Sequence, residues 1–155
     1  MTELTSALLT WFINHGRKNL PWQSNPPNGY HVWLSEVMLQ QTQVKTVIYY
    51  FNNFIEKFPD ITSLANSSED DVLAAWAGLG YYSRARNLHK TAQITFSLYG
   101  GIFPKNYSEV IALPGIGKST AGAILSLTFN QPHAILDGNV KRVLARYHRV
   151  EGHYS

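Results

Sequence analysis

The stretch Ala112-Leu-Pro-Gly-Ile-Gly-Lys-Ser-Thr-Ala121 constrains this chain more than any other. Pro114 stops one helix, and Gly115 and Gly117 form a tight hairpin that a residue with a Cβ would resist. A second helix then starts at Lys118 with free backbone N–H groups at its N-terminus. Such an end grips a phosphate without reading base sequence. Close behind, Ile135-Leu-Asp-Gly-Asn-Val-Lys141 returns a carboxylate, Asp137. A phosphate grip beside a lone acid points to chemistry on a nucleic-acid backbone or on a sugar attached to it.

The rest of the chain reads as helical almost throughout. Apolar spacing predicts helices over 4–15, 31–40, 42–58, 61–66, 68–76, 82–99, 107–113, 118–129 and 138–148. Leu8, Leu9, Phe12 and Ile13 mark the apolar face of the first. The loop 19–29 is rich in breakers, Pro59 ends one helix, and Gly78-Leu-Gly80 and Gly100-Gly101 end two others. Ser68-Glu-Asp-Asp71 is an acidic helix start, and Asp137 caps the last helix. No alternating stretch argues for a strand, so an all-α fold is expected. The chain stops at Glu151-Gly-His-Tyr-Ser155 without a packed ending, which reads as a truncation.

Bulk properties narrow the function. A chain of 155 residues is one domain, or one compact domain with part of another. Its 45% hydrophobic content can build a real core. There is no run of 18 apolar residues and no signal-peptide pattern, so no membrane association is expected and the cytoplasm is the default location. The absence of cysteine excludes disulfides and thiolate-bound metal within these residues. The six histidines show no i, i+4 pair, so no metal site is expected. A net charge of +3 and a pI of about 9.2 favour a polyanionic partner mildly.

Only ten acids are present, so the candidates for acid–base work can be sorted. Glu69, Asp70 and Asp71 belong to a helix start, Glu56 and Asp60 bracket a helix end, and Glu3, Glu109 and Glu151 lie in polar or terminal surroundings. Glu36 differs. Its helical neighbours are Val32, Trp33, Val37, Met38 and Leu39, and no Lys or Arg lies within four residues to pair with it. Desolvation should raise its pKa, as a general acid working near neutral pH requires; the alternative is a solvated helix edge. Asp137 as an N-cap would be held ionised by helix N–H groups, which also suits a carboxylate facing a developing cation. Glu36 and Asp137 would then form a split pair, one protonated and one charged, about a glycosidic bond.

Three further segments invite a reading. Gly115-Ile-Gly-Lys-Ser119 suggests an NTPase loop, but that motif needs a glycine where Ala112 stands and a strand before it. Gln40, Gln41 and Thr42, at the end of an apolar helix, are suited to entering a duplex beside a flipped-out base; helix-terminus polarity is the plainer account. Gly78-Leu-Gly-Tyr-Tyr-Ser-Arg-Ala-Arg86 offers a second tight turn whose aromatics and arginines suit an unstacked, phosphate-lined site.

Taken together, Leu20-Pro-Trp22, Val32-Trp-Leu-Ser-Glu-Val-Met-Leu-Gln-Gln-Thr42, Gly78-Leu-Gly-Tyr-Tyr82, Leu113-Pro-Gly-Ile-Gly117 and Leu136-Asp-Gly-Asn-Val140 resemble the helix-hairpin-helix DNA glycosylases, and within them the MutY-type adenine DNA glycosylases. The resemblance implies two helical subdomains with a cleft between them. One is a six-helix subdomain over 20–130 with its hairpin at 113–117; residues 1–19 and 131–155 would form an incomplete second one. It implies a monomeric base-excision enzyme that flips and hydrolytically removes adenine mispaired with 8-oxoguanine or guanine in duplex DNA, in a bacterial cytoplasm at the nucleoid. Glu36 would protonate adenine, Asp137 would stabilise the sugar cation, Asn139 would orient water or the acid, and Ser119 would support them. Gln41 and Tyr81 would fill the duplex, with Thr42 and Leu79 near the 8-oxoguanine. Trp22 and Leu39 would line the adenine pocket, and amides from Gly115 to Lys118 would hold phosphate. Endonuclease III-type relatives carry a lysine nucleophile where this chain has Ser119, which favours a monofunctional enzyme over a glycosylase/lyase. Full-length members hold a four-iron, four-sulfur cluster on four cysteines that are absent here. The enzyme is therefore expected of the full-length protein, and a non-catalytic DNA-binding fragment is the alternative for these residues.

Overall fold

A computed structural model describes residues 2–152, and those residues form nine helices and no strand. They are α1 (Glu3–His15), α2 (Gly29–Leu39), α3 (Val44–Lys57), α4 (Ile61–Ala65), α5 (Glu69–Trp76), α6 (Tyr82–Tyr99), α7 (Tyr107–Ile111), α8 (Lys118–Phe129) and α9 (Gly138–Tyr147). Residues 153–155, at the end of the segment read as a truncation, lie outside the described residues.

Side-chain caps set most helix starts. Asn28 accepts from the Tyr30 and His31 N–H groups at 2.9 and 3.3 Å and so starts α2 two residues earlier than its apolar run suggests. Asp60 and Ser63 form a reciprocal capping box on α4, and the Ser68 hydroxyl accepts from the Asp71 N–H at 3.1 Å on α5. Asn106 caps α7. The acids of the α5 start are tied at the surface, Asp71 to Lys57 at 3.0 Å and Glu69 to Arg86 at 3.3 Å.

The core sits between α2, α3, α6 and α8. Trp33, Phe51, Phe54, Trp76, Leu88 and Ile124 are fully buried there. Helix α6 packs on α4, α5 and α2, while α2 packs on α3 and α8. The Tyr30 hydroxyl donates to the Phe58 carbonyl at 2.8 Å inside this core, and burial, reinforced by the charge of Asp60, pushes its pKa up. Helix α1 forms as expected but buries none of its residues. Its Leu8, Leu9, Phe12 and Ile13 stay exposed, as do Val143 and Tyr147 of α9. No described helix is long and apolar enough to cross a membrane.

Candidate active site and nucleic-acid interface

A cleft of about 1400 Å³ opens where the end of α2, the start of α8 and the start of α9 converge. Glu36 and Leu39 reach it from α2, Ser119 from α8, and Asp137 and Asn139 from the turn into α9. Residues 101 positions apart are thus delivered to one space. The glycine at 122 helps: a Cβ there would stand 3.0 Å from the Ala134 carbonyl oxygen, so the 130–137 connection runs tight against α8 and carries Asp137 to the cleft.

Glu36 is half-buried, and among the described residues it has no hydrogen bond and no ion pair. Its pKa is raised above the ordinary 4.5 by burial first and by the negative charge of Asp137 second. Asp137 is exposed and caps α9, its Oδ1 accepting from the Asn139 and Val140 N–H groups at 2.8 Å each. Its Oδ2 has no hydrogen-bond partner among the described residues. Asn139 lines the cleft; Arg142 donates to its Oδ1, and its amide nitrogen remains an uncommitted donor among the described residues. Cleft walls include three cations that no sequence motif marks, Arg17, Lys45 and Arg142. Their only sequence signal is a basic surface near the site motifs, because no local spacing links them.

The hairpin before α8 has the expected form, with one correction. Gly115 sits at φ +73°, and a Cβ there would lie 2.8 Å from Asn87 Cβ. Gly117 has φ −89° and open space around it, so the argument from a missing Cβ holds for Gly115 and fails for Gly117. Gly117 is the N-cap of α8 with no side-chain cap, which leaves the first amides of α8, beginning with exposed Lys118, open to solvent. Thr91 of α6 donates its hydroxyl to the Pro114 carbonyl at 2.8 Å and anchors the hairpin from behind.

Two exposed tips carry left-handed backbone, one of them at the cleft. One is Gln40-Gln41, with Gln41 at φ +59°; Thr42 beside it is half-buried. The other is Tyr81, at φ +51° and 60% exposed. Gln40, Gln41 and Thr42 line the cleft and Tyr81 does not. Leu79 is buried at the base of its turn, and Trp22 packs edge-on against Phe51 in the core, 5.4 Å between ring centroids. The two arginines read as phosphate partners take other roles. Arg84 is buried among carbonyl oxygens, and Arg86 pairs with Glu69. Neither role is visible from local sequence, because the Glu69 partner of Arg86 lies 17 residues away and the α2 carbonyls that Arg84 serves lie 44 to 47 residues away.

A sequence model of the family described as "HhH-GPD superfamily base excision DNA repair protein" matches residues 34–155. The chain is 58% identical over 152 residues to an adenine DNA glycosylase of Buchnera aphidicola subsp. Baizongia pistaciae, covering 97% of this chain and 43% of that protein. It is 41% identical to the human adenine DNA glycosylase over 158 residues, covering 97% of this chain and 29% of that protein. Among solved structures, a thermostable thymine-DNA glycosylase superposes with a TM-score of 0.83 at 26% identity, covering 91% of this chain and 64% of that one. An endonuclease III–DNA complex at 21% identity shares the fold with a TM-score of 0.76, covering 92% of this chain and 67% of that one. The chain spans less than half the length of these curated relatives.

Proposed function

The chain belongs to the HhH-GPD superfamily of base excision DNA repair proteins, and on that premise we propose that it carries the catalytic cleft of an adenine DNA glycosylase acting on adenine mispaired with 8-oxoguanine or guanine. One observation supports this most: Glu36 and Asp137 share one cleft, the first half-buried with its proton retained more tightly, the second anchored at a helix tip.

The chemistry follows from that contrast. Adenine is a poor leaving group as an anion. Glu36 delivers its proton to N7 of the flipped base, so that the C1′–N9 bond breaks with its electron pair leaving on a neutral adenine. Asp137, with one oxygen spent on the helix amides and the other uncommitted, faces the cationic deoxyribose left behind. Water attacks C1′ and yields an abasic sugar, its proton passing to the Glu36 carboxylate. The Asn139 amide holds that water in this reading, and the hydrogen bond from Arg142 to its Oδ1 supports the role. Ser119 lines the same space and supplies no amine for a Schiff base.

In the same reading the exposed amides from Gly115 to Lys118 hold backbone phosphate. Gln41 and Tyr81 fill the duplex where adenine has left, with Thr42 and Leu79 beside the opposite base. Leu39 lines the base pocket, and Trp22 backs it from the core two residues after cleft-lining Leu20. Residues 20–130 form one subdomain, and 1–19 with 131–155 belong to a second; the uncovered apolar faces of α1 and α9 support that division. The protein works as a cytoplasmic, nucleoid-associated monomer on duplex DNA. A four-iron, four-sulfur cluster does not fit the residues present: the chain has no thiolate, and no group of three potential ligands gathers among the described residues. No step is routed through it.

A release assay on a duplex with adenine opposite 8-oxoguanine tests the reading, run on this chain and on a version continuing beyond residue 155. Glu36→Gln should abolish adenine release and leave mismatch binding largely intact; normal turnover by that variant overturns the mechanism. A second reading, a DNA-binding module without catalysis, draws on the capping bonds that already account for Asp137. It predicts salt-dependent binding with no released base. A glycosylase/lyase would instead give a borohydride-trapped DNA adduct, and Ser119 predicts none.

A further inference from the structure

Arg84 lies on the buried face of α6, 8% exposed, and no carboxylate pairs with it among the described residues. Its Nη1 donates to the carbonyls of Val37 and Met38 at 3.0 Å each and of Gln40 at 2.6 Å, carbonyls at the end of α2 that lack an intrahelical partner. Its Nη2 donates to the Gly80 carbonyl at 3.2 Å, to the Leu79 carbonyl at 3.3 Å and to the Thr42 hydroxyl at 3.4 Å. The guanidinium carbon stands 5.4 Å from the Trp76 ring centre and 5.3 Å from that of Tyr81. One planar cation therefore caps the C-terminal end of α2 and grips the turn before α6 at once. The two tips it joins each rest on a non-glycine residue in the left-handed region, Gln41 and Tyr81. Such backbone persists only where surrounding bonds over-determine it. The tips' other bonds stay within each one's own neighbourhood: Thr42 donates its N–H to the Leu39 carbonyl at 3.3 Å and its hydroxyl to the Gln40 carbonyl at 3.4 Å, and Trp76 Nε1 donates to the Gly80 carbonyl at 3.1 Å. Among the described residues only Arg84 bonds to both. Gln40, the C-cap of α2, shows no capping bond of its own, and Tyr81 has no side-chain cap bond to α6.

We infer that Arg84 is a positioning residue that locks the 40–42 turn and the 79–81 turn into one rigid unit, setting the spacing at which Gln41 and Tyr81 meet a mismatched duplex. The role in DNA rests on the function proposed above; the mechanical coupling does not. Lysine cannot replace the arginine, because its three tetrahedral donors do not reproduce a flat fork serving carbonyls from two sides. Burying the charge is favourable here only because the oriented carbonyls and two ring faces surround it.

The test begins without DNA or mutation. In the wild-type chain, native-state amide exchange should show residues 40–42 and 79–81 opening as one cooperative unit, with a single opening constant. Two separate constants overturn the inference. In Arg84→Lys and Arg84→Met, both turns should exchange about tenfold faster or more while Ile124 and Leu125 of the core stay protected. A folded Arg84→Met protein that keeps wild-type exchange in either turn overturns it too. In the same variants, preference for a duplex with adenine opposite 8-oxoguanine over a matched duplex should fall about tenfold, with the salt dependence of matched-duplex binding unchanged because the hairpin carries it. A wild-type chain with no mismatch preference would count against the proposed function and leave the exchange result standing.

Discussion

The Asp137 carboxylate, set on the tip of α9, raises the proton affinity of Glu36 across the cleft, adding to what burial already does. Asp137 thus acts on Glu36 before any substrate arrives. Glu36 has no hydrogen bond of its own to oppose the effect. The consequence is measurable. In Asp137→Asn, the Glu36 side chain followed by carbon NMR should titrate at lower pH than in the wild type, because a like charge has been removed. Burial should still hold it above 4.5. An unmoved titration would show that the two carboxyl groups are electrically independent.

Stability carries the same signature with a definite sign. A carboxyl whose folded-state pKa is raised favours folding below its unfolded value and withdraws that contribution as pH climbs through the folded value. Glu36→Gln, which cannot ionise, should therefore match the wild type below about pH 4.5 and become the more stable protein as pH rises past the raised Glu36 value. Denaturant unfolding at acidic and neutral pH checks this; a variant less stable than the wild type at neutral pH contradicts it. Catalysis should show the matching trend, with adenine release declining as alkali strips the proton from Glu36.

Gly115→Ala should cost about 1–3 kcal/mol, since its backbone is left-handed and its new Cβ meets Asn87. Binding to matched and mismatched duplexes should weaken together, with a shallower salt dependence, because the contact proposed for the hairpin is with phosphate and not with bases. Gly117→Ala should be close to neutral for stability, with φ −89° and nothing near. Comparing thermal unfolding of the two variants separates strain from mere proximity to DNA.

Tyr30→Phe removes a buried donor from the Phe58 carbonyl and should destabilise the fold by about 1–2 kcal/mol. The site lies away from the cleft, so adenine release per folded molecule should not change. A loss of activity at full folding would reveal a link between this end of α2 and Glu36 that the packing does not suggest.

Most of this was open to reading in the chain itself, for identifiable reasons. Helix ends were legible where a cap or breaker marks them, as at Ser68, Gly100 and Asp137. The start of α2 is hidden in the sequence because the Asn28 cap lies inside a loop dense in Pro and Gly. The environment of Glu36 was foreseeable because its apolar neighbours share its own helix; the convergence of Asp137 on it needed the fold. Arg84 and Arg86 looked alike from sequence as exposed cations on one turn. Only the packing of α6 separates them, sending one into a nest of carbonyls and the other to Glu69. The exposed apolar face of α1 was equally unreadable, because periodicity shows that a face exists and not what covers it.

Arg84, Asn87 and Thr91 follow one another at single-turn intervals along α6, and each braces a different tool: the paired tips, Gly115, and Pro114. The helix is in effect a jig. Its pitch dictates how far apart the proposed base probe and phosphate clamp stand, so grafting either loop from a distant homologue would misalign the other unless this helix travels with it.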